Sequence, residues 1–151
     1  MQTLLLSPIE QILTVLNSVL PLQRKLQIMN TNLTENVNNF AKMIGEGKLL
    51  EAFDTYYSDE VSMQENEAAP RVGRDENRKA EEVFVNGLTK INSIVILGVA
   101  IGENYSVLEY QLDVEHKDYG RINKKQVSVQ HWKDNKIISE KFYYDTATKL
   151  V

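Results

Sequence analysis

The chain has 151 residues, 42% hydrophobic and 25% charged, the balance of a globular domain with enough length for a real core. A net charge of −4 without any basic block speaks against nucleic acid as a partner. Cysteine is absent, which excludes disulfides and thiolate chemistry, and two histidines, His116 and His131, make a histidine-rich metal centre unexpected.

Residues 1–28 read as an N-terminal extension and residues 29–151 as the domain proper. Ser7 can cap a helix, Pro8 suits its first position, and Glu10 follows three residues after the cap. Ile9, Ile12, Leu13, Leu16, Val19 and Leu20 then recur at helical spacing until Pro21, where an interruption is expected. Two other readings stay open. The segment could extend a protein whose natural start is Met29, or be a secretory leader, although no basic residue precedes the apolar run. The interrupted run is too short to span a bilayer, so a cytoplasmic protein without a membrane partner is expected.

Thr34 can cap a helix with Val37, Phe40, Ala41 and Ile44 as its apolar stripe. Gly45-Glu46-Gly47 breaks it, and a second helix carries Leu49, Leu50, Ala52, Phe53 and Tyr56 as far as Tyr57. A short strand from Val61 to Glu65 and a loop through Pro70 and Gly73 follow. Asp75 opens a third helix with Ala80, Val83, Phe84 and Leu88 inward. Its charged run, Arg74 to Glu82, reads as a solvated face laced with ion pairs.

After Lys90 the period becomes that of strands: Ile91–Ile101, Tyr105–His116, Ile122–Trp132 and Lys136–Asp145, each joined to the next by a polar turn. Helices followed by consecutive hairpins predict an α+β domain with helices on one face of a curved antiparallel sheet. In the last hairpin Lys133-Asp134-Asn135-Lys136 supplies the turn. On one face, Ser128, Gln130 and Trp132 meet Ile138, Glu140, Phe142 and Tyr144. An acid among aromatics there suggests a lined pocket.

The phrases Tyr57-Ser58-Asp59-Glu60-Val61, Val72-Gly73-Arg74, and Asp134-Asn135-Lys136-Ile137 to Tyr143-Tyr144-Asp145, in this order of elements, resemble the SnoaL-like families of the nuclear transport factor 2-like superfamily. The resemblance covers about Thr34 to Asp145. It implies a cone-shaped, strongly curved antiparallel sheet wrapped around N-terminal helices, a small-molecule pocket inside the cone, and homodimers through the outer sheet face. Val127, Val129, Tyr143 and the strand Ile94 to Ala100 could supply that face. Matching the shared phrases implies that Ser62, Gln64, Glu109, Gln111 and Asp113 also look inward, with Met63 and Glu65 as an equally good set on the first strand. The superfamily holds enzymes and pure binders alike, and its catalytic sets do not carry over. Ketosteroid isomerase has its general-base aspartate where this chain has Gln64, and its oxyanion-binding acid falls near Ser128. Limonene epoxide hydrolase needs an arginine and two aspartates where Gln111, Asp113 and Phe142 stand.

The expected function is therefore binding of a small, partly apolar molecule in the cone, without a cofactor or metal. Tyr56, with Tyr57 as runner-up, and Trp132, Phe142 and Tyr144 could stack on a flat ligand. The alternative is an isomerase, cyclase, dehydratase or hydrolase in which Glu140 or Asp113 moves a proton. A protein-interaction domain with a filled cone is the third reading.

Overall fold

A computed structural model describes residues 7–146. The first element, α1, is a single helix from Pro8 to Gly45. It passes through Pro21 without the expected interruption. A proline removes one backbone donor and crowds one carbonyl, a local cost that the helix-favouring residues on either side offset. Among its described side chains, those of the C-terminal part enter the core. Leu33, Val37, Phe40 and Ala41 are buried there, with Ile44 packed against them, which is the three-and-four spacing of one helical stripe. A valine, leucine or phenylalanine there contributes roughly 1.5–3 kcal/mol when fully buried. Gly47, at φ 74°, closes the turn into α2 (Leu49–Tyr56), whose Ala52, Phe53 and Tyr56 extend the same core.

The remaining elements are β1 (Tyr57–Glu65), β2 (Arg71–Val72), α3 (Arg74–Gly87), β3 (Leu88–Ile101), β4 (Tyr105–His116), β5 (Gly120–Lys133) and β6 (Lys136–Tyr144). The strands form one open sheet in the order β2-β1-β6-β5-β4-β3. The β3 to β6 run is the antiparallel meander expected from the sequence, and it brings β6 back beside β1 in parallel. Asp134 and Asn135 both have positive φ, 50° and 63°, as a two-residue hairpin turn requires.

Curvature comes from surplus residues. The β3–β4 ladder shifts register three times, between Leu88 and Lys90, Ile91 and Ser93, and Ile96 and Gly98. Each shift adds local twist and bends the strand around the helices. A further shift between His131 and Trp132 leaves Ile138 without a partner. Ile137 consequently takes the inward place expected of Ile138: Ile137 is fully buried and Ile138 is exposed.

Two contacts fix α3. Asn77 is completely buried and its amide donates to the carbonyls of Val61, Arg71 and Gly73, which ties the helix start to β1 and β2. Gly87 lies against the buried ring of His116, which stacks between Phe84 and Tyr119. Val83, expected inward, is exposed on the opposite side of the helix. Among the described residues no helix is long and apolar enough to cross a membrane.

Candidate functional site

Helices and the concave face of the sheet enclose a cavity of about 470 Å³. Phe40 and Phe53 wall it from the helices, Leu108, Tyr110 and Leu112 from β4, and Phe142 from β6. Its walls are mainly aromatic and aliphatic, with a few polar side chains among them.

The central polar group is Glu140, buried on β6. Tyr57 donates its hydroxyl to Oε2, and Gln130 donates its amide to Oε1 at 2.8 Å. Ser128 supplies a further hydrogen bond and itself accepts from Gln130 at 2.6 Å. Behind Gln130 the chain continues outward from the cavity. Ser106 donates to the Gln130 carbonyl at 2.7 Å, and the indole of Trp132 donates to Ser106 at 2.8 Å. Every donor in this network converges on an acceptor, and among the described residues no ion pair reaches the carboxylate. Burial pushes Glu140 up to about 7, while the bonds from Tyr57, Gln130 and Ser128 pull the other way. The Tyr57 ring is fixed by stacking on Phe53 with centroids 4.4 Å apart, and burial followed by the charge of Glu140 raises its hydroxyl well above the usual tyrosine value.

A second polar group shares the cavity. Glu81, on the inner side of α3, is also held at about 7, first by burial and then by the charges of Glu140 and Glu65. Gln126 donates to the Tyr110 hydroxyl, leaving the phenolic hydrogen available to a ligand. Lys124 lies 3.4 Å from the centroid of the Tyr144 ring, and burial lowers its ammonium from the ordinary lysine value. Tyr144 is raised to about 12 by burial and by Glu65. The cavity thus offers two carboxyl groups near neutrality, several hydroxyls and an aromatic wall. Among the described residues no three His, Asp or Glu side chains gather as metal ligands.

Of the residues singled out in the sequence, Glu140, Ser128, Phe142 and Tyr144 line the cavity. Gln130 and Trp132 stand behind it as buried members of the network, with Trp132 packed edge-on against Phe40 and Tyr56. Tyr56 is core, bonded to Asn39 at 2.6 Å, and the runner-up Tyr57 takes the place in the wall.

Two strands have the opposite phase to the one implied by the resemblance. On β4 the inward set is Ser106, Leu108, Tyr110, Leu112, Val114 and His116, so Glu109, Gln111 and Asp113 lie on the outer face. There Asp113 pairs with Arg121 at 2.8 Å and is held below the ordinary carboxylate value by that bond. Gln111 donates to Asn123 at 3.0 Å. On β1 the alternative set left open by the sequence is the one that lines the cavity, Met63 and Glu65, while Ser62 and Gln64 open onto a shallow outer depression beside His131. The reason is ordinary alternation: turning these polar sets inward would have buried several unpaired groups and exposed a run of leucine and valine.

The sequence reading did not single out Tyr110, Gln126, Glu81 and Lys124, which also line the cavity. Gln126 is one step further along the alternation of Ser128 and Gln130. Glu81 lies four residues after Asn77 and three before Phe84, the spacing of one helix face.

The chain belongs to the SnoaL-like domain family, whose model matches residues 31–144. No curated protein matches it. Among solved structures it is similar to a Mesorhizobium loti protein provisionally named a SnoaL-like polyketide cyclase, with TM-score 0.67 and 21% identity over 74% of this chain and 97% of that one. A Catenulispora acidiphila protein with a ketosteroid isomerase-like fold, solved with trimethylamine, gives TM-score 0.63 and 14% identity over 77% and 89% of the two chains. SalBIII, an epoxide hydrolase/cyclase-like enzyme of pyran ring formation in salinomycin, gives TM-score 0.63 and 14% identity over 77% and 92%. At such identities the likeness speaks for the fold.

Proposed function

We propose that the cone binds a small, partly apolar molecule carrying at least one hydrogen-bonding group. The observation that carries this reading is a cavity of about 470 Å³ with aromatic and aliphatic walls and the Tyr57–Glu140 pair in its lining. A cavity of that volume also weighs against a cone filled by its own side chains, the arrangement a pure interaction domain would need. We further propose that the protein works in the cytoplasm. We pair it as a homodimer through the outer sheet face, where Val127 and Tyr143 are cross-strand partners.

A second reading, general acid–base catalysis, rests on Glu140 and Glu81, two carboxyl groups that line one cavity and that burial pushes up to about 7. In that role Glu140 would move the proton while the Tyr110 hydroxyl steadies a substrate oxygen.

A thermal-shift screen against small acids, steroids, aromatics and polyketide-like lactones tests both. A ligand of the folded state raises the melting temperature as its concentration rises. A dose-dependent hit weakened by Phe142→Ala supports binding in the cone, and a blank across the library overturns it. For any hit that is also converted, Glu140→Gln keeps the size of the side chain and removes the base. Loss of turnover with binding retained supports catalysis; unchanged turnover rules out Glu140 as the catalyst.

A further inference from the structure

The N-terminal half of α1 lies outside the family match and apart from the cavity. Between Ile9 and Leu22 its large apolar side chains are 40% to 70% exposed, so the described part of the chain's own domain does not cover them. Their positions are ordered. Taking Ile9 as position a of a heptad, Leu16 is also a, Ile12 and Val19 are d, Leu13 and Leu20 are e, and Val15 and Leu22 are g. Thr14, Asn17, Ser18 and Pro21 occupy the remaining face. A helix with this division has an apolar arc spanning a, d, e and g, wider than a two-stranded seam, and suited to burial between neighbouring helices.

We propose that this arc is a docking surface for the same arc of a second copy of the chain, so that chains assemble through the N-terminal halves of their α1 helices. Three observations favour that occupant. The arc carries no charge, so a self-complementary contact sets no like charges against each other. A lipid surface would instead favour lysine and arginine along the polar face; the first basic residues, Arg24 and Lys25, come only after the arc. The area is also sufficient. Eight partly exposed aliphatic side chains present on the order of 600 Å². A polar rim brings that close to the roughly 800 Å² each partner gives to a standard interface. This assembly is independent of the cone's ligand and of any pairing through the outer sheet face.

Sedimentation equilibrium of the full-length chain, with matched variants, tests it. Leu16 lies near the middle of the arc, where two copies bring their residues 16 together whether the helices run parallel or antiparallel. Leu16→Lys is expected to weaken self-association by about 100-fold or more, while Asn17→Lys on the polar face leaves it unchanged. Leu16→Cys, in a chain with no other cysteine, is expected to form a disulfide-linked pair on mild oxidation. Leu16 is half exposed, so none of these changes disturbs the core, and far-ultraviolet circular dichroism checks that. The proposal is overturned by a monomeric wild type, or by an assembly that Val129→Lys dissolves and Leu16→Lys does not. Binding of the chain to anionic vesicles without self-association would equally overturn it, in favour of a lipid surface.

Discussion

Tyr57 and Glu140 are hydrogen-bonded across two parallel strands although they are not register partners: Tyr57 pairs with Ile137, and Glu140 with Met63. The ladder slips between Tyr57 and Ser62, and that slip sets the start of β1 within reach of the middle of β6. Since the phenol lowers the carboxyl's pKa, Tyr57→Phe is expected to raise Glu140 further above about 7. Stability should fall by about 1–3 kcal/mol as one buried partner is lost. Carbon-13 detection of the glutamate carboxyls across a pH titration reads the first effect, and an unmoved Glu140 would refute the assignment.

Stability should depend on pH in a definite direction. The folded value of Glu140 is about 7, above the ordinary 4.5, so the unfolded chain gives up this proton first as pH rises. The folded state is favoured most below the unfolded value and loses stability as pH climbs from about 4.5 to 7, by roughly 3 kcal/mol for this one group. Glu81 acts in the same sense. Chemical denaturation at pH 5 and pH 8 should therefore show the wild type weaker at pH 8. In Glu140→Gln the difference should shrink. An undiminished difference would mean that other groups control it.

The packing of Gly87 on His116 is tight enough to test directly. A Cβ on Gly87 would lie 1.9 Å from Nε2 of that ring, and both residues are buried. Gly87→Ala should cost on the order of 1–3 kcal/mol through overpacking. His116→Ala opens space for the methyl, so the double variant should be more stable than the sum of the two single effects. Strict additivity in urea denaturation would show that the two sites do not meet.

The inner and outer carboxylates should separate cleanly in ligand binding. Glu81→Gln changes the cavity wall and is expected to alter the affinity of any ligand found for the cone by about tenfold in either direction. Glu109→Gln and Asp113→Asn act on the other side of the sheet and are expected to leave that affinity unchanged. Calorimetric titration decides it, and an Asp113→Asn effect as large as that of Glu81→Gln would restore the inward reading of β4.

The buried Trp132 belongs to the frame of the site. Trp132→Ala should destabilise the fold by about 3–5 kcal/mol. Trp132→Phe, which keeps most of the packing, removes only the bond to Ser106. If Trp132→Phe leaves the pH titration of Glu140 in place, the indole acts as packing; if the titration shifts, the network transmits from Ser106 through Gln130.

The fold was legible because its signals are local: glycine breaks, a two-residue turn at Asp134-Asn135, and strand runs with β-branched alternation. The last hairpin placed Ser128, Glu140, Phe142 and Tyr144 for the same reason. Phase was harder. A register slip at His131 exchanges Ile137 and Ile138, and no local pattern announces it. On β4 the apolar alternation of Leu108, Tyr110, Leu112 and Val114 did announce the inward side, but the family match pointed at the polar set. Glu81 was hidden in a charged run whose neighbours do form surface ion pairs, Lys79 with Glu76 and Arg78 with Glu82. Only its helical angle distinguishes it from them.

The three register shifts of β3 carry a consequence for behaviour in crowded solution. This strand is a free edge of the sheet and exposes Val95, Leu97 and Val99, a composition that invites another strand to add on. A visiting strand needs an unbroken two-residue repeat of donors and acceptors to zip against. The surplus residues between Leu88 and Gly98 interrupt that repeat. The bends that shape the cone thereby also guard its apolar rim against edge-to-edge aggregation.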